Sequence, residues 1–350
     1  MRKHGGTPPP GTIDFSSPMN PLPPPSWLDK TIRDCLEEKA YRRYYDPDLG
    51  ELKDLISRLD GIKEEIHIGN GSASILAGLP AVFRPGAMIV VEPNFGDHHL
   101  QAPALGIPLF RLKSRIIEDK LRVNVGELAR IERPLIVVSR PNNPTGMELD
   151  SRDLRALEDY AEDHHGVLVV DEAFQPLSSL SSWRPRGTRT IILRSLTKAM
   201  ATPGLRLGYM YTLDEDLTRR MERARQPWPL DSITYCTYTR ILGYYLDEVR
   251  RYIARGRKAA LEWGRDLAVM LTKAGVRVYP TTTAYILAWH GIPHPRLGME
   301  LARRGVYVRD ASTFHGLDRH YSRVSVKSPE ENKILSDIMA KVLGGRDGAT

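Results

Sequence analysis

The sequence predicts an α/β protein: a mostly parallel sheet in a large domain, completed by a smaller α+β domain. Three observations predict this class. Short apolar runs alternate with longer helix-like stretches, the signature of βαβ units. After about residue 231 that alternation gives way to one long helical region and several short strands. The chain of 350 residues is also long for one compact core, and a hydrophobic content of 41% fills two.

Taken in order, the chain opens with a proline-rich stretch, residues 7 to 25, whose PPP clusters favour extended polyproline structure. EEIHIGNGSASIL then reads as an apolar run, a glycine turn and a helix start. AMIVVEP (87 to 93), LIVVS (135 to 139), GVLVVDEAF (166 to 174), TIILRS (190 to 195) and LGYMY (207 to 211) read as buried strands. SRDLRALEDYAEDHH, capped by Ser151 and stopped at Gly166, reads as an amphipathic crossover helix. The region from 232 to 273 predicts one long helix, and VRVYP, AYILAWH, GVYVRD and YSRVSVK predict the strands of the smaller unit. The expected division is a large domain over 41–230 and a small domain made of 1–40 and 231–350, with the N-terminal arm lying over the active site.

The formal charge of +7 comes from basic residues scattered among 43 acids, without a Lys/Arg block, which disfavours nucleic acid and suits a small anionic substrate. No apolar stretch is long enough to span a membrane and the start lacks the apolar segment of a signal peptide, so a cytoplasmic protein is expected. Cys35 and Cys236 lie far apart and outside any CxxC, and are expected as free, buried apolar residues. No His spacing fits a metal, so none is expected, and His98, His99, His164 and His165 are read as bland.

In open α/β sheets ligands bind beyond the carboxyl ends of the strands. Here the runs lead into Asn94 and Phe95, into RPNNPTG, onto Asp171, and onto Ser195 with Lys198 just beyond. The GNGSAS turn presents backbone N–H groups and the Ser72 hydroxyl to an anion. It fails as a dinucleotide fingerprint because its sixth position is Ser74. Singly, each residue has a commonplace use: Asp171 as a cap, Phe95 as core, NNPTG as a tight turn. Together, in this order and at strand ends, they converge on one ligand.

The set resembles the fold type I pyridoxal-phosphate enzymes, the aspartate aminotransferase superfamily, over nearly the whole chain. Ser195, Thr197, Lys198 and Arg206 match the family's SxxK(x7)R element. The resemblance implies a seven-stranded, mostly parallel sheet and pyridoxal 5'-phosphate as cofactor. It implies that Lys198 forms the Schiff base with the cofactor aldehyde, a role suited to a lysine made nucleophilic by a dry pocket or neighbouring cations. Ser72, the N–H of Ala73, Ser195, Thr197 and Arg206 would hold the phosphate. Asp171 would pair with the pyridine nitrogen, Asn143 with the ring hydroxyl, and Phe95 would stack on the ring. Where the family often has a tyrosine this chain has Phe174, so one hydrogen bond to the ring oxygen is missing. Tyr44 resembles the tyrosine that reaches the partner's cofactor phosphate, which implies a homodimer with shared active sites.

Within the superfamily the chain is similar to the histidinol-phosphate aminotransferases and to the L-threonine O-3-phosphate decarboxylases of cobalamin synthesis. KHGG, FSSPMNPLPPP, LRSLTKAMATPGLRLGY, RQPWPLDSI and FHGLDRHYSRVSVKS favour the decarboxylases. On that resemblance Arg323 would bind the substrate carboxylate as a bidentate fork, and His4, Asn20 and Arg309 would contact the substrate. No contact is expected in particular for Arg140. A regulator that keeps this fold as a binding module would be the remaining class; only about forty residues precede the first motifs, which disfavours it.

Overall fold

A computed structural model describes residues 4 to 344. Its large sheet has seven strands: β1 (His67–Asn70), β2 (Ala87–Glu92), β3 (Leu109–Lys113), β4 (Pro134–Ser139), β5 (Val167–Asp171), β6 (Thr190–Ser195) and β7 (Leu207–Thr212). They lie in the order β1-β7-β6-β5-β4-β2-β3. Every neighbouring pair is parallel except those made by β7, which runs antiparallel to both β6 and β1. Strands β2, β4, β5 and β6 are buried at every residue, which is why they read as continuous apolar runs rather than alternating ones.

Helices flank the sheet. In chain order, α1 (Ser26–Glu37), α2 (Gly50–Asp60), α3 (Gly71–Phe83) and α4 (Ser151–Asp163) precede α5 (Ser232–Tyr244) and α6 (Leu246–Lys273). Helix α4 buries Leu154, Leu157 and Ala161, one stripe of a 3.6-residue period, against a cluster that includes Leu168 and Val170. Its cap is Asp150 rather than Ser151: the Asp150 carboxylate accepts the Arg152 N–H at 3.0 Å. The single helix expected over 232–273 is two, interrupted at Tyr245, which leaves helical backbone geometry and stacks on Trp27 at 5.5 Å.

The smaller sheet consists of β8 (Arg277–Val278), β9 (Tyr285–Trp289), β10 (Arg309–Asp310) and β11 (Tyr321–Ser325) in the order β8-β9-β11-β10. Its cluster gathers residues 267 to 339 and one residue of the N-terminal arm, Phe15. The arm's Ile13–Asp14 pairs in parallel with Val306–Tyr307. A second cluster joins Leu28 of α1 and Tyr238 and Ile241 of α5 to Leu52, Ile56, Ile68 and Leu207 of the large unit, on both sides of residues 40 and 231.

The packing of α1 on α5 corrects the reading of the cysteines. Cys35 and Cys236, 201 residues apart, face each other with Cα atoms 6.1 Å apart and form a disulfide. Sequence spacing carried no sign of this, because tertiary packing of two helices sets the distance. Among the described residues no helix is long and apolar enough to cross a membrane, and no cluster of His, Cys, Asp or Glu is arranged to hold a metal.

Candidate active site

A cavity of about 690 Å³ opens at the carboxyl ends of β4, β5 and β6, beneath the arm and against the smaller sheet. One end is an anion cradle. The first-turn N–H groups of α3 have no intrahelical acceptor and carry the positive end of the helix dipole. Ser72 and Ala73 of that turn line the cavity, as do Ser195, Thr197 and Arg206. Two glycines allow the close packing. Gly71 has φ +68°, and a Cβ there would lie 2.7 Å from the Arg206 guanidinium; a Cβ on Gly208 would lie 2.1 Å from the Ser72 nitrogen. The Gly71 N–H donates to the Arg206 carbonyl at 3.1 Å, fixing helix start and arginine together.

Lys198 projects into the same cavity from a single helical turn, Leu196–Ala199. Burial, then Arg323 and Arg206, lowers its pKa from 10.5 to about 8. About a tenth is therefore the nucleophilic free amine at pH 7, far more than for an ordinary lysine. Its Nζ lies 6.0 Å from the centre of the Phe174 ring, the position where the missing tyrosine would stand.

Asp171 ends β5 at the cavity floor, where its Oδ1 accepts the Ala173 N–H at 3.0 Å. Its Oδ2 lies 2.8 Å from Nε2 of His98, which is 1% exposed. Sequence reasoning missed both histidines here: His98 supports Asp171, and His99 lines the cavity. Adjacent histidines look alike in sequence, but the short 3-10 turn Gly96–His98 sets only His98 beside Phe95, with ring centres 5.6 Å apart. In such a turn residues i and i+3 align, so the Phe95-to-His98 spacing was the available signal. Phe95 and Asn143 are anchored by one relay. Ser139 Oγ donates to Asn94 Oδ1 at 2.6 Å, Asn94 Oδ1 also accepts the Phe95 N–H at 2.9 Å, and Ser139 Oγ accepts the Asn143 N–H at 3.0 Å.

Arg323, on β11, brings a buried guanidinium to the opposite wall. It donates to Asn143 Oδ1 at 2.5 Å and to the Ser16 carbonyl at 2.8 Å, and burial lowers its pKa to about 10. Arg309 is its cross-strand neighbour on β10, also lines the cavity, and donates to Thr313 Oγ1 at 2.7 Å. His4 lines the rim, 3.4 Å from Asp97 and with its ring centre 5.7 Å from that of Phe95. Lys3 of KHGG lies outside the described residues.

Two expected site residues do not line this cavity. Tyr44 is 81% exposed and packs on Trp228 with ring centres 4.3 Å apart. Asn20 is buried, and its amide is turned to the Ala199 carbonyl at 3.0 Å. Arg140, left without a contact by the sequence, donates to Glu148 at 2.6 Å and to the Ser181 carbonyl at 2.5 Å, and lies 3.6 Å from Glu172.

The donor set fits pyridoxal phosphate: a helix start with an arginine and hydroxyls for a phosphate, a low-pKa amine for an aldehyde, and a carboxylate for a ring nitrogen. The family model described as "Aminotransferase class I and II" matches residues 11–338. The threonine-phosphate decarboxylase of Salmonella typhimurium is 26% identical, with 97% of this chain and 93% of that protein covered. Histidinol-phosphate aminotransferase 1 of Ralstonia nicotianae is 27% identical, covering 95% of this chain and 90% of that protein. The adenosylcobalamin biosynthesis bifunctional protein CobDQ of Leptospira interrogans is 26% identical over 99% of this chain, which spans only 40% of that longer protein. The crystal structure of the histidinol-phosphate aminotransferase from Clostridium acetobutylicum superposes with a TM-score of 0.82 at 20% identity, covering 95% of this chain and 99% of that one. The chain thus belongs to the class I and II aminotransferase family, with the fold type I architecture and the pyridoxal-phosphate cofactor of that family.

Proposed function

We propose that the protein decarboxylates L-threonine O-3-phosphate to (R)-1-amino-2-propanol O-2-phosphate and CO2, the reaction used in cobalamin biosynthesis. One observation carries this reading: besides Arg206 at the cradle, two neighbouring guanidinium groups, Arg323 and Arg309, line the substrate side of the cavity. A substrate with both a carboxylate and a phosphate on a short carbon chain uses both. Histidinol phosphate has a phosphate and no carboxylate, so an aminotransferase would meet the two groups together on neither substrate, finding a carboxylate only on its keto acid.

When bound, pyridoxal phosphate supplies an electron sink for the pair of a bond broken at the substrate's α-carbon. Lys198 would hold the cofactor through its aldehyde and, once displaced by the substrate's amine, would be the group placed to return a proton to the α-carbon. Asp171, buttressed by His98, would hold the ring nitrogen and favour its protonated form, and Asn143 and Phe95 would hold the ring. Arg323 would orient the α-carboxylate while Arg309 and His4 would hold the distal phosphate, so that two fixed anions would select which α-carbon bond is broken. Decarboxylation follows when it is the bond to the carboxylate.

A second reading, histidinol-phosphate aminotransferase, employs the same residues and is favoured by relatives at equal identity. In either case we read the protein as a cytoplasmic homodimer in which Tyr44 reaches the partner's cradle; its exposure beside Trp228, outside its own cavity, supports that placement. The deciding measurement is incubation with L-threonine O-3-phosphate and no keto acid. Stoichiometric CO2 release is expected. Absence of CO2 together with 2-oxoglutarate-dependent consumption of histidinol phosphate would overturn the decarboxylase in favour of the aminotransferase.

A further inference from the structure

The turn that carries Lys198 is too short to satisfy its own carbonyls. A helix leaves its last four C=O groups without intrahelical donors, and Leu196–Ala199 has only four residues. The chain following it supplies two donors: the Met200 N–H reaches Leu196 O at 2.9 Å and the Thr202 N–H reaches Thr197 O at 3.1 Å. Ala201 then adopts φ 53°, a left-handed conformation that ends the helix. For Lys198 O the Ala201 N–H offers a contact of 3.3 Å, and Ala199 O is left to a group from elsewhere.

That group is Asn20, 179 residues away. Its backbone N–H donates to Lys198 O at 2.9 Å and its side-chain amide donates to Ala199 O at 3.0 Å. Its Oδ1 accepts the Leu22 N–H at 3.1 Å, which fixes which end of the amide is oxygen. Gly256 of α6 leaves no slack: a Cβ there would lie 2.2 Å from the Asn20 amide. The same strap grips the other wall. Four residues back, the Ser16 carbonyl accepts from Arg323, and the Phe15 carbonyl accepts from the Ser325 N–H and hydroxyl at 2.8 Å each.

We infer that Asn20 is a positioning residue for Lys198: it holds the carbonyls of the lysine's own turn and, through the strap from Phe15 to Asn20, sets that turn against Arg323. The inference rests on Lys198 being the residue that links the cofactor. A lysine reaches its target through four rotatable bonds, so a turn displaced by a fraction of an ångström changes how often Nζ meets the aldehyde carbon. Asn20 itself does not face the cavity, so its side chain acts on the lysine's turn rather than on a substrate contact of its own.

The test uses two variants. Asn20→Asp keeps size and the Leu22 contact but removes the donor to Ala199 O; Gly256→Ala pushes the Asn20 amide aside from outside the cavity. Cofactor-free protein is mixed with pyridoxal phosphate, and the Lys198 link is followed by visible absorbance and by borohydride trapping with peptide mapping. Link formation is expected to slow about tenfold or more in both variants, with substrate KM kept within about twofold of wild type. A KM that rises while link formation stays normal would make Asn20 a substrate contact and overturn the inference. Lower thermal stability with normal link formation in whichever variant folds would overturn it too, leaving a structural role only. Failure of wild-type protein to trap pyridoxal phosphate at Lys198 would instead sink the functional reading beneath it.

Discussion

Neighbouring residues at the strand ends face opposite sides of the sheet and are treated in opposite ways. Asp171 and Ser195 turn to the cavity, whereas Glu172 and Arg194, next to them in the chain, turn to a buried ionic network. The Glu172 carboxylate accepts from Trp183 N–H at 2.6 Å, Ser182 Oγ at 2.7 Å and Arg194 Nε at 3.0 Å, with Arg140 at 3.6 Å. Arg194 continues to Asp60 at 3.1 Å, and Asp60 accepts the Tyr209 hydroxyl. On that face the Glu172 and Asp60 carboxylates are matched by several donors, and only Arg140 Nε and Trp183 Nε1 among its described groups are buried without a partner. On the cavity face Lys198, Arg206, Ser72 and Asp171 keep donors or acceptors for a ligand. The contrast teaches that the strand ends are held by their paired side so that the other side can keep open valences without collapsing.

The comparison breaks most visibly at Glu172. Burial pushes its carboxyl up, and Arg194, the Trp183 N–H, Ser182 and Arg140 oppose that rise. Glu172→Ala would leave two buried guanidinium groups facing each other without the carboxylate between them. Removing one partner of such a buried network costs about 3–5 kcal/mol, so the Tm should fall by many degrees. Denaturant unfolding of the cofactor-free protein measures this, and a loss below about 1 kcal/mol would show that the paired face is not what holds the strands.

How far this contrast was legible in the sequence differs between its faces. Asp171, Ser195 and Lys198 could be singled out because strand ends fix backbone positions where a ligand needs particular groups, and Asn143 and Arg206 through the family resemblance; all five line the cavity. The paired face could not be read. Nothing local distinguishes Arg140 or Arg194 from a surface arginine until the sheet order places them beside Glu172. Asn20 illustrates the same limit: its type suited a substrate contact, but the arm's path turns it to the lysine's carbonyls. The Cys35–Cys236 disulfide and the different places of His98, against Asp171, and His99, at the cavity wall, likewise depend on packing between segments distant in sequence or on one short turn.

On the open face, Asp171→Asn sharpens the comparison. The amide keeps the shape but not the charge that is proposed to face the cofactor's ring nitrogen, and one of its two terminal heavy atoms becomes a donor. Loss of one electrostatic partner of this kind costs about 10²–10³ in kcat/KM, with the cofactor retained by the untouched cradle. Steady-state kinetics beside cofactor content decide it. Near-normal turnover would remove Asp171 from the chemistry, and cofactor loss would place its role in binding instead.

The smallest expected effect isolates the cost of keeping one open valence. The Lys198 pKa falls from 10.5 to about 8 in the folded chain, with burial the main cause and Arg323 and Arg206 adding to it. Folding therefore disfavours the charged amine, and between those two values the unfolded chain binds more protons than the folded one. Stability must then rise with pH across that window: the penalty is complete below about pH 8, shrinks as pH climbs, and is gone above about 10.5. The shift of 10.5 − 8 = 2.5 units bounds the penalty at about 3 kcal/mol. Lys198→Met removes the titrating group while keeping an unbranched apolar stem, so the cofactor-free variant should be more stable than wild type at pH 7 by at most that amount. Urea unfolding of both proteins from pH 7 to 10.5, with the difference taken at each pH to cancel every other titration, should show the variant's advantage declining toward zero. A difference independent of pH would mean that the lysine folds without being desolvated, and that the open face carries no stability cost at its reactive amine.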